Sequence, residues 1–501
     1  MSALSKSKLM AFRQCPKRLW LEIHKPELRE YSAAAQTRFQ VGYQVGDIAR
    51  RLYDPEDTGM LLDAQTDGYE PTFARTQELI RGNRPIFEGG FRASGGLAFA
   101  DVLLPMSKRG QNGWRMVEVK SSASLKDYHR EDAAIQTYIV RQAGVPLGGV
   151  AVAHIDSAWT YPGDEDYHGL LKEHDLWQEA RAQGKEVEGW ISAAQAVVSR
   201  TTEPAIRTGA HCTSPYECPF IEYCRQQEPQ ARQPLSVLPD VRARKLKDYI
   251  EAHPTGELQD VPDELLNDRQ KRVKAVTLSG QSFFDAAGAA AALKGHKLPA
   301  YFMDFETIQF AVPIWKGTRP YQQIPFQFSM HKVGARGALS QTGFLDLSGK
   351  DPREPFAEAL VGACGDAGPV FVYNATFEKT RVRELAEKFP RLAGRLSALN
   401  ERIVDLHPIA RDHYYHPSQQ GSWSIKDVLP AACPDLSYDS LDGVQDGGMA
   451  MEAFLEALAP QTAPERKAEI ERELMAYCRL DTYGMVRLWG FFSGITVAYP
   501  P

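Results

Sequence analysis

The sequence predicts an α/β protein with two main domains. Its 501 residues are 43% hydrophobic, which is enough for two or three separate cores. Strand-like apolar runs alternate with helix-like segments, and this alternation is typical of α/β folds. Residues 229–298 open with prolines and continue as helical-looking stretches with a run of alanines. We therefore predict domains at residues 1–228 and 299–501, joined by a helical connector at 229–298.

The N-terminal half contains a strand with two charges on one face. Asp101 lies in LAFADVLLP, and WRMVEVKSS carries Glu118 and Lys120 between valines. Side chains alternate along a strand, so Glu118 and Lys120 share a face. A solvent-facing strand with two charges is the simple alternative. An acid followed by Glu-x-Lys resembles the core of PD-(D/E)XK nucleases, which have a restriction-endonuclease-like fold. The resemblance implies that Asp101 and Glu118 bind a metal ion and that Lys120 positions water or stabilises developing charge.

Four cysteines enclose this pattern in the sequence. Cys15 lies near the start, and Cys212, Cys218 and Cys224 follow the strand with five residues in each gap. This spacing lacks the paired CxxC knuckles that are usual for structural zinc. It resembles the iron-sulfur nucleases of the RecB/AddB type and their CRISPR-associated relatives. The resemblance implies a 4Fe-4S cluster, bound by all four cysteines, that clasps both ends of the nuclease domain. Zinc is the alternative metal.

Smaller features of the first 228 residues bear on the same resemblance. Gln136, on a predicted helix after the Glu-x-Lys strand, matches the glutamine motif of RecB-like nucleases, which implies that it holds substrate or the metal-bound water. Glu88 in PIFEGGF is predicted at the end of a strand, as an added acid or a surface charge. The metal-binding histidine of many relatives is missing from the early helix RFQVGYQVGDIARRLY. Gln44 or Asp47 would have to substitute for it.

The C-terminal half contains a second acidic pattern. Asp304 and Glu306 in YFMDFET share one face of a predicted strand. Tyr477 and Asp481, about 170 residues later, are four apart and share one face of a predicted helix. Either motif alone is compatible with an acidic strand end or an exposed helix. Together and in this order they predict one metal-binding cleft.

Residues 369–378, PVFVYNATFE, predict a strand that runs into a helix start carrying Glu378. With the flanking motifs, this order resembles the DEDD family of RNase H-like 3'-to-5' exonucleases, in its tyrosine subclass. The resemblance implies that Tyr477 orients the attacking water. It also implies four metal-binding carboxylates: Asp304, Glu306, Glu378 and Asp481. The family normally has aspartate at the third position, and the longer Glu378 can still reach a metal ion.

Two further positions have alternative interpretations. Asp405 in RIVDLHPIAR ends a predicted strand, where the DEDD family often has a supporting acid; a helix N-cap is the other interpretation. In GSWSIKDVLP, Ser422 or Ser424 is expected to cap a helix. That helix either presents Lys426 to a phosphate or is a plain surface helix.

Carboxylate-rich sites suit phosphodiester hydrolysis, in which two cations about 4 Å apart activate water and stabilise the leaving oxygen. Carboxylates favour Mg²⁺ or Mn²⁺ as those cations. The net charge of −6 argues against a generally basic nucleic-acid-binding surface. Phosphate contacts would then come from local basic patches, which are alternatively solvated helix faces. The candidate patches are Arg242, Arg244, Lys245 and Lys247, and Lys271, Arg272 and Lys274.

The sequence also predicts where the protein acts. No apolar segment follows a basic N-terminus, and no apolar stretch reaches 18 residues, so we expect a cytoplasmic protein that binds no membrane. Cys364, Cys433 and Cys478 do not resemble a secreted disulfide framework and are expected to be buried thiols.

The whole arrangement resembles a bacterial family that fuses a RecB-like iron-sulfur nuclease to a DEDD exonuclease-like domain. The expected function is a metal-dependent nuclease with two active sites, acting on DNA that is single-stranded or has free ends, in repair or defence. One alternative is a nucleic-acid-binding protein in which the site with Glu378 has decayed. The other is an exonuclease that trims RNA 3' ends, because both groups use the same carboxylates and contacts to the 2'-hydroxyl leave no motif.

Overall fold

A computed structural model of the chain describes residues 3–108 and 111–495. The chain divides into two compact units, unit 1 (Met1–Pro229 and Phe310–Gln322) and unit 2 (Gln230–Gln309 and Gln323–Pro501). Each unit combines a β-sheet with packed helices, which confirms the α/β fold class. The helices of residues 230–298 group with unit 2 rather than forming a separate connector.

Unit 1 also takes in a short segment that follows the Asp304 strand in sequence. Residues 310–322 belong to unit 1 because Ala311 and Val312 are buried in a cluster with Val45 and Ile48. The Tyr321 hydroxyl donates a hydrogen bond to the backbone carbonyl of Ser121, directly after Lys120.

Among the described residues of unit 1, seven strands form one sheet: β1 Leu4–Ser5, β2 Met60–Leu61, β3 Ile86–Ala93, β4 Gly96–Lys108, β5 Gln111–Lys120, β6 Leu147–Ile155 and β7 Leu171–Asp175. Its helices are α1 Lys6–Gln14, α2 Pro16–His24, α3 Ala33–Tyr53, α4 Tyr69–Leu79, α5 Asp127–Gln142, α6 Trp177–Ala182, α7 Gly184–Val198 and α8 Ile221–Gln226.

The sheet of unit 1 has the order β2-β3-β4-β5-β6-β7, and β1 pairs in parallel with β4. Strands β3, β4 and β5 form an antiparallel meander, whereas β5 and β6 are parallel and joined by helix α5. Parallel neighbours need such a crossover. The sequence LGGVAVAHI makes β6 almost entirely buried, as expected for a strand covered on both faces. The charged end of β5 therefore lies between β4 and β6, in the middle of the sheet.

Unit 2 contains the strands β8 Phe283–Phe284, β9 Ala300–Ile308, β10 Ile324–Val333, β11 Leu339–Leu345, β12 Val370–Val372, β13 Ile403–Asp405 and β14 Tyr414–Tyr415. Its helices are α9 Arg244–Ala252, α10 Asp268–Ser279, α11 Ala286–Leu293, α12 Arg353–Ala363, α13 Thr376–Lys388, α14 Ala393–Glu401, α15 His407–His413, α16 Ile425–Ala432, α17 Gly447–Leu458 and α18 Pro464–Ser493.

The main sheet of unit 2 has five strands in the order β11-β10-β9-β12-β13. The first three strands are antiparallel, and β12 runs parallel to both β9 and β13. Strand β9 is central, and its apolar run AYFMDFETI is almost completely buried. The acidic pair that this strand carries is thus held in the interior of the sheet.

Helix α18 packs against β9 and β10 through buried polar contacts. The Gln327 side chain donates a hydrogen bond to the Leu474 carbonyl at 2.7 Å. The Thr482 hydroxyl contacts the side chains of Ser329 at 2.7 Å and His331 at 2.8 Å. Because buried polar groups are costly to leave unpaired, these bonds fix the rotation of α18 about its axis.

Helix α18 is 30 residues long, but it carries charged side chains along its length. Within the described ranges, no helix combines the length and the apolar character that crossing a bilayer requires.

Candidate functional site

Strand β9 brings two carboxylates of unit 2 to one face. Asp304 and Glu306 lie there as the two-residue spacing predicts, and Glu306 is buried. Together with Cys478 they place three potential ligand atoms within 4.8 Å of one another. Cys478 is buried, as the sequence analysis expected, and its thiol lies 3.7 Å from the backbone oxygen of Asp304. That position was not foreseen, because nothing in the sequence separates it from an ordinary core thiol.

Helix α18 adds an aspartate and a tyrosine to this acidic cluster. Tyr477 and Asp481 are both buried, and the Tyr477 hydroxyl donates a hydrogen bond to the Asp481 carboxylate. The Tyr438 hydroxyl donates a second hydrogen bond to Asp481 at 2.5 Å. Tyr438 was missed because its short 3-10 turn has no periodic pattern that links it to the motif.

Helix α13 supplies the fourth carboxylate from its first turn. Glu378 is 2% exposed, and its charge acts on Asp304. One of its oxygens, Oε2, is buried and has no hydrogen-bond partner among the described residues. A buried carboxylate oxygen without a donor is unusual, and a metal ion or water is the ordinary way to satisfy it.

Asp405 fixes the turn that leads into α13. It ends β13, as predicted, and its carboxylate accepts hydrogen bonds from the backbone N–H groups of Asn374 at 2.9 Å and Ala375 at 3.0 Å. It also accepts one from the N–H of His407, the first residue of α15, at 2.9 Å. Asn374 needs this support because its φ of 77° is in the left-handed region. Asp405 is therefore not the N-cap of α15, which is Leu406; its carboxylate instead supports the backbone before α13 and the first N–H of α15.

Burial raises the pKa values of the four carboxyls, and repulsion from other members of the cluster adds to it at Asp304 and Glu306. Burial, and then the charges of Asp481 and Glu306, hold the pKa of Asp304 well above its usual range. Burial raises the pKa of Glu306 to about 8, that of Glu378 to about 8 and that of Asp481 to about 6. Such buried carboxyls cannot all ionise without positive charge. The donor set therefore fits hard divalent cations such as Mg²⁺ or Mn²⁺.

Lys426 is the basic group that acts on this cluster. It lies in the first turn of α16, and Ser424, one of the two predicted caps, accepts the hydrogen bond from its backbone N–H. Its ammonium lies 5.3 Å from the centre of the Tyr477 ring and donates to the Gln445 carbonyl at 3.0 Å. Its charge lowers the pKa values of Glu306 and Asp481 against the effect of burial.

A second cluster lies at the end of β5 in unit 1. The Glu118 carboxylate is buried and accepts hydrogen bonds from the ammonium groups of Lys120 and Lys6, both at 2.6 Å, and from the Gln136 side chain. The Asp101 carboxylate on β4 accepts a hydrogen bond from the Val119 N–H at 2.7 Å. The structure thus places Asp101, Glu118, Lys120 and Gln136, which the sequence analysis selected, in one cluster.

Sequence reasoning missed two members of this cluster, Lys6 and Asp132. The Asp132 carboxylate is buried and lies 2.5 Å from the Lys120 ammonium and 3.4 Å from that of Lys6. Burial works to raise the pKa of Asp132, but the two lysines outweigh it and hold that pKa below its usual range. Asp132 precedes Gln136 by one helical turn, so helix periodicity could have found it. Lys6 has no such local signal.

Three other predicted positions are exposed, and of these Glu88 is close enough for its charge to raise the pKa of Asp101. Glu88 is exposed and lies inside β3, so the prediction that it ends a strand is wrong: the following glycines continue the strand. It sits between the pairs Phe87–Val102 and Gly89–Ala100, opposite Asp101, with a left-handed φ of 56°. Gln44 and Asp47 are on the exposed face of α3.

The four cysteines are buried and close enough to act on one another electrostatically. Burial raises the pKa of Cys224 to about 11, with smaller contributions from the other three thiols. The Lys17 ammonium contacts the Cys224 sulfur and supplies compensating charge. Among the described residues, no three of these sulfurs lie within 4.8 Å of one another. Tetrahedral zinc, with bonds of about 2.3 Å, would bring its sulfurs to about 3.8 Å.

The two basic patches differ in exposure. Arg242, Arg244, Lys245 and Lys247 are exposed on and before α9. In the second patch, Arg272 donates to the Asp412 carbonyl at 2.7 Å, and Lys274 donates to the Val261 carbonyl at 2.6 Å. The first patch remains a candidate for phosphate contacts, whereas two members of the second stabilise the fold of unit 2.

Known proteins resemble parts of this chain. A family described as "Domain of unknown function (DUF2779)" matches residues 301–424, which include Asp304, Glu306 and Glu378 but end before α18. A protein of Mycoplasma pneumoniae, named "Uncharacterized protein MG366 homolog", is 29% identical over 206 aligned positions, and the match covers 37% of this chain. The match covers 31% of that relative's length. Neither name states an activity.

Proposed function

We propose that the protein is a metal-dependent nuclease with two active sites, one in each unit, and that it acts on DNA with single strands or free ends. The observation that carries the proposal is the convergence of buried carboxylates from β9, α13 and α18 around Asp304. Because the pKa values of these carboxyls are raised, ionising all of them costs free energy unless the cluster binds cations. Such an acidic, oxygen-rich cleft suits phosphodiester hydrolysis.

In the site of unit 2, the carboxylates of Asp304, Glu306, Glu378 and Asp481 would hold Mg²⁺ or Mn²⁺. Bound metal would supply an activated water and charge stabilisation on the phosphate. Tyr477, held by Asp481, is suited to orient that water, as its resemblance to the tyrosine of DEDD exonucleases implies. Lys426 lies beside the Tyr477 ring and offers a cation for a substrate phosphate.

In the site of unit 1, Asp101 and Glu118 are the candidate metal ligands. Lys120 already donates to Glu118 and is placed to stabilise negative charge that develops on a phosphate. Gln136 contacts Glu118 through its amide nitrogen, and its Oε1 is buried without a hydrogen-bond partner among the described residues. That oxygen is available to a metal-bound water. Cys15, Cys212, Cys218 and Cys224 would hold a 4Fe-4S cluster whose role is structural.

The test is a titration of the full-length protein with Mg²⁺ and Mn²⁺ against end-labelled DNA and RNA. We expect cleavage of DNA that Asp304→Asn and Glu118→Gln each reduce and that the double variant abolishes. The controls Asp366→Asn and Glu222→Gln change exposed acids in units 2 and 1 and should cleave like the parent. Full activity of the double variant would overturn the proposal, and cleavage of RNA alone would reassign the substrate.

A second candidate function is nucleic-acid binding by a decayed site in unit 2. The observation that favours it is that neither Glu378 nor Asp481 belongs to the set of three ligand atoms that lie within 4.8 Å of one another among the described residues. In that case Asp304→Asn would leave every cleavage product unchanged, while the protein would still bind a labelled strand end through unit 2.

A further inference from the structure

Lys6 is an unexpected cation at the candidate metal site of unit 1. It is the first residue of α1, separated from Glu118 by 112 residues in sequence. Its ammonium lies 2.6 Å from a Glu118 oxygen and 3.4 Å from Asp132. The Lys120 ammonium donates a hydrogen bond to the same Glu118 oxygen at 2.6 Å. One carboxylate oxygen therefore carries two ammonium groups, and only one of them belongs to the predicted motif.

Helix α1 holds Lys6 at this position from both ends. The Ser5 side chain caps the helix by accepting from the Lys8 N–H at 3.3 Å, and Leu4 pairs with Gly96 of β4. At the other end, the Cys15 N–H donates to the Ala11 carbonyl at 2.9 Å. An ammonium on an anchored helix has a high effective concentration beside Glu118.

Two neighbouring carboxylates hold the Lys6 ammonium beside Glu118. That ammonium is paired with two carboxylates at once, Glu118 at 2.6 Å and Asp132 at 3.4 Å. A divalent cation on Glu118 would stand next to this ammonium. Like charges at such a distance repel strongly where protein excludes water.

We propose that Lys6 is a tethered cation that competes with the divalent metal for Glu118 and so sets the metal concentration at which the site of unit 1 is loaded. This inference depends on the proposed metal-binding role of Glu118. Displacement of Lys6 from Glu118 would leave its ammonium with a second partner, Asp132 at 3.4 Å. Lys120 lies on β5 itself, between Glu118 and Asp132, and remains in the site.

The test measures Mn²⁺ binding directly, by electron paramagnetic resonance of free Mn²⁺, in the full-length protein carrying Asp304→Asn to remove metal binding in unit 2. Lys6→Met should bind Mn²⁺ about tenfold more tightly, which corresponds to ~1.4 kcal/mol. Lys6→Arg keeps the charge and should bind like the parent. Lys6→Gln, which keeps hydrogen-bond donors without charge, should bind like Lys6→Met and serves if the methionine variant folds poorly.

Lys8→Met is the matched control. Lys8 is on the same helix, its side chain is 23% exposed like that of Lys6, and it pairs with Glu22 at 3.0 Å instead of with the site. It should leave the Mn²⁺ affinity unchanged. Unchanged or weaker Mn²⁺ binding by both neutral Lys6 variants would refute the competition.

Glu118→Gln separates this failure from failure of the proposed function. If Glu118→Gln does not weaken Mn²⁺ binding, Glu118 is not a metal ligand and the assignment of the site itself is wrong. If it does weaken binding while the neutral Lys6 variants match the parent, the site stands and only the role of Lys6 is refuted.

Discussion

Glu378→Gln should stabilise metal-free unit 2, and increasingly so as the pH rises. Burial raises the pKa of Glu378 from 4.5 to about 8. A hydrogen bond from its own backbone opposes this rise, and the charge of Asp405 adds to it. In the unfolded chain the carboxyl ionises near its ordinary pKa. Between pH 4.5 and about 8 the folded state therefore binds more protons than the unfolded state, and stability is lost as the pH rises through this window.

The size of the effect follows from the difference between the two pKa values. A full shift from 4.5 to about 8 corresponds to ~5 kcal/mol, and no large screening correction applies to a side chain that is 2% exposed. In the folded state the Glu378 carboxyl is half protonated at pH 8. It therefore lowers the free energy of unfolding by about 4 kcal/mol at pH 8, against about 1 kcal/mol at pH 5. Glutamine has nearly the same shape and no charge, so the advantage of the variant should grow by about 3 kcal/mol over this range.

Hydrogen exchange of peptides from α13 and β9 measures this stability for unit 2 alone. Variant and parent are compared at the same pH in a chelating buffer, so that intrinsic exchange rates cancel. Glu387→Gln is the control, because Glu387 is exposed on the same helix and its pairing with Arg383 at 3.9 Å is worth little. Mn²⁺ should protect the parent and not Glu378→Gln. An equal effect of the variant at pH 5 and pH 8 would refute the reasoning.

Three other predictions concern the cysteines, the two activities and the support of Glu378. Cys218→Ser should lower both the iron content of the protein and the melting temperature of unit 1, because a cluster that closes a long loop contributes to folding. Loss of cleavage with unchanged stability would contradict a structural role. Asp304→Ala should still cleave 3'-blocked single-stranded DNA, and Glu118→Ala should still remove 3' nucleotides stepwise. Identical product ladders from the two variants would assign all chemistry to one unit. Asp405→Ala should cost about 1–3 kcal/mol by leaving backbone N–H groups unpaired, and unchanged hydrogen exchange at the start of α13 would show that the cap is dispensable.

Local periodicity explains which parts of the sites were predictable. Glu118 and Lys120 are two residues apart on β5, and Asp304 and Glu306 are two apart on β9, so their common faces follow from strand geometry. Tyr477 needed only the helical repeat. These predictions use backbone rules that act within one element and do not depend on how the elements pack.

Contacts between distant elements were not predictable from such rules. Lys6 reaches Glu118 across 112 residues, and Tyr438 reaches Asp481 across 43 residues, without a repeat that links either pair. Arg272 resembled part of an exposed basic patch because the sequence does not reveal the Asp412 carbonyl that receives it. Long-range packing decides these cases, and one sequence carries little trace of it.

The two clusters differ in their balance of charge, and this difference predicts different behaviour without metal. In unit 1, two lysines face the carboxylates, so Asp132 and Glu118 are already compensated. In the acidic cluster of unit 2, Lys426 is the basic side chain that lowers carboxyl pKa values among the described residues, and Glu306 still has a pKa of about 8. The carboxyls of unit 2 must therefore lose protons when metal binds. In unit 1, burial and the charge of Glu118 also hold the pKa of Asp101 well above its usual range, so metal binding there must displace both a proton and an ammonium. Metal loading of unit 2 should depend on pH near neutrality, and loading of unit 1 should depend on pH and also on Lys6.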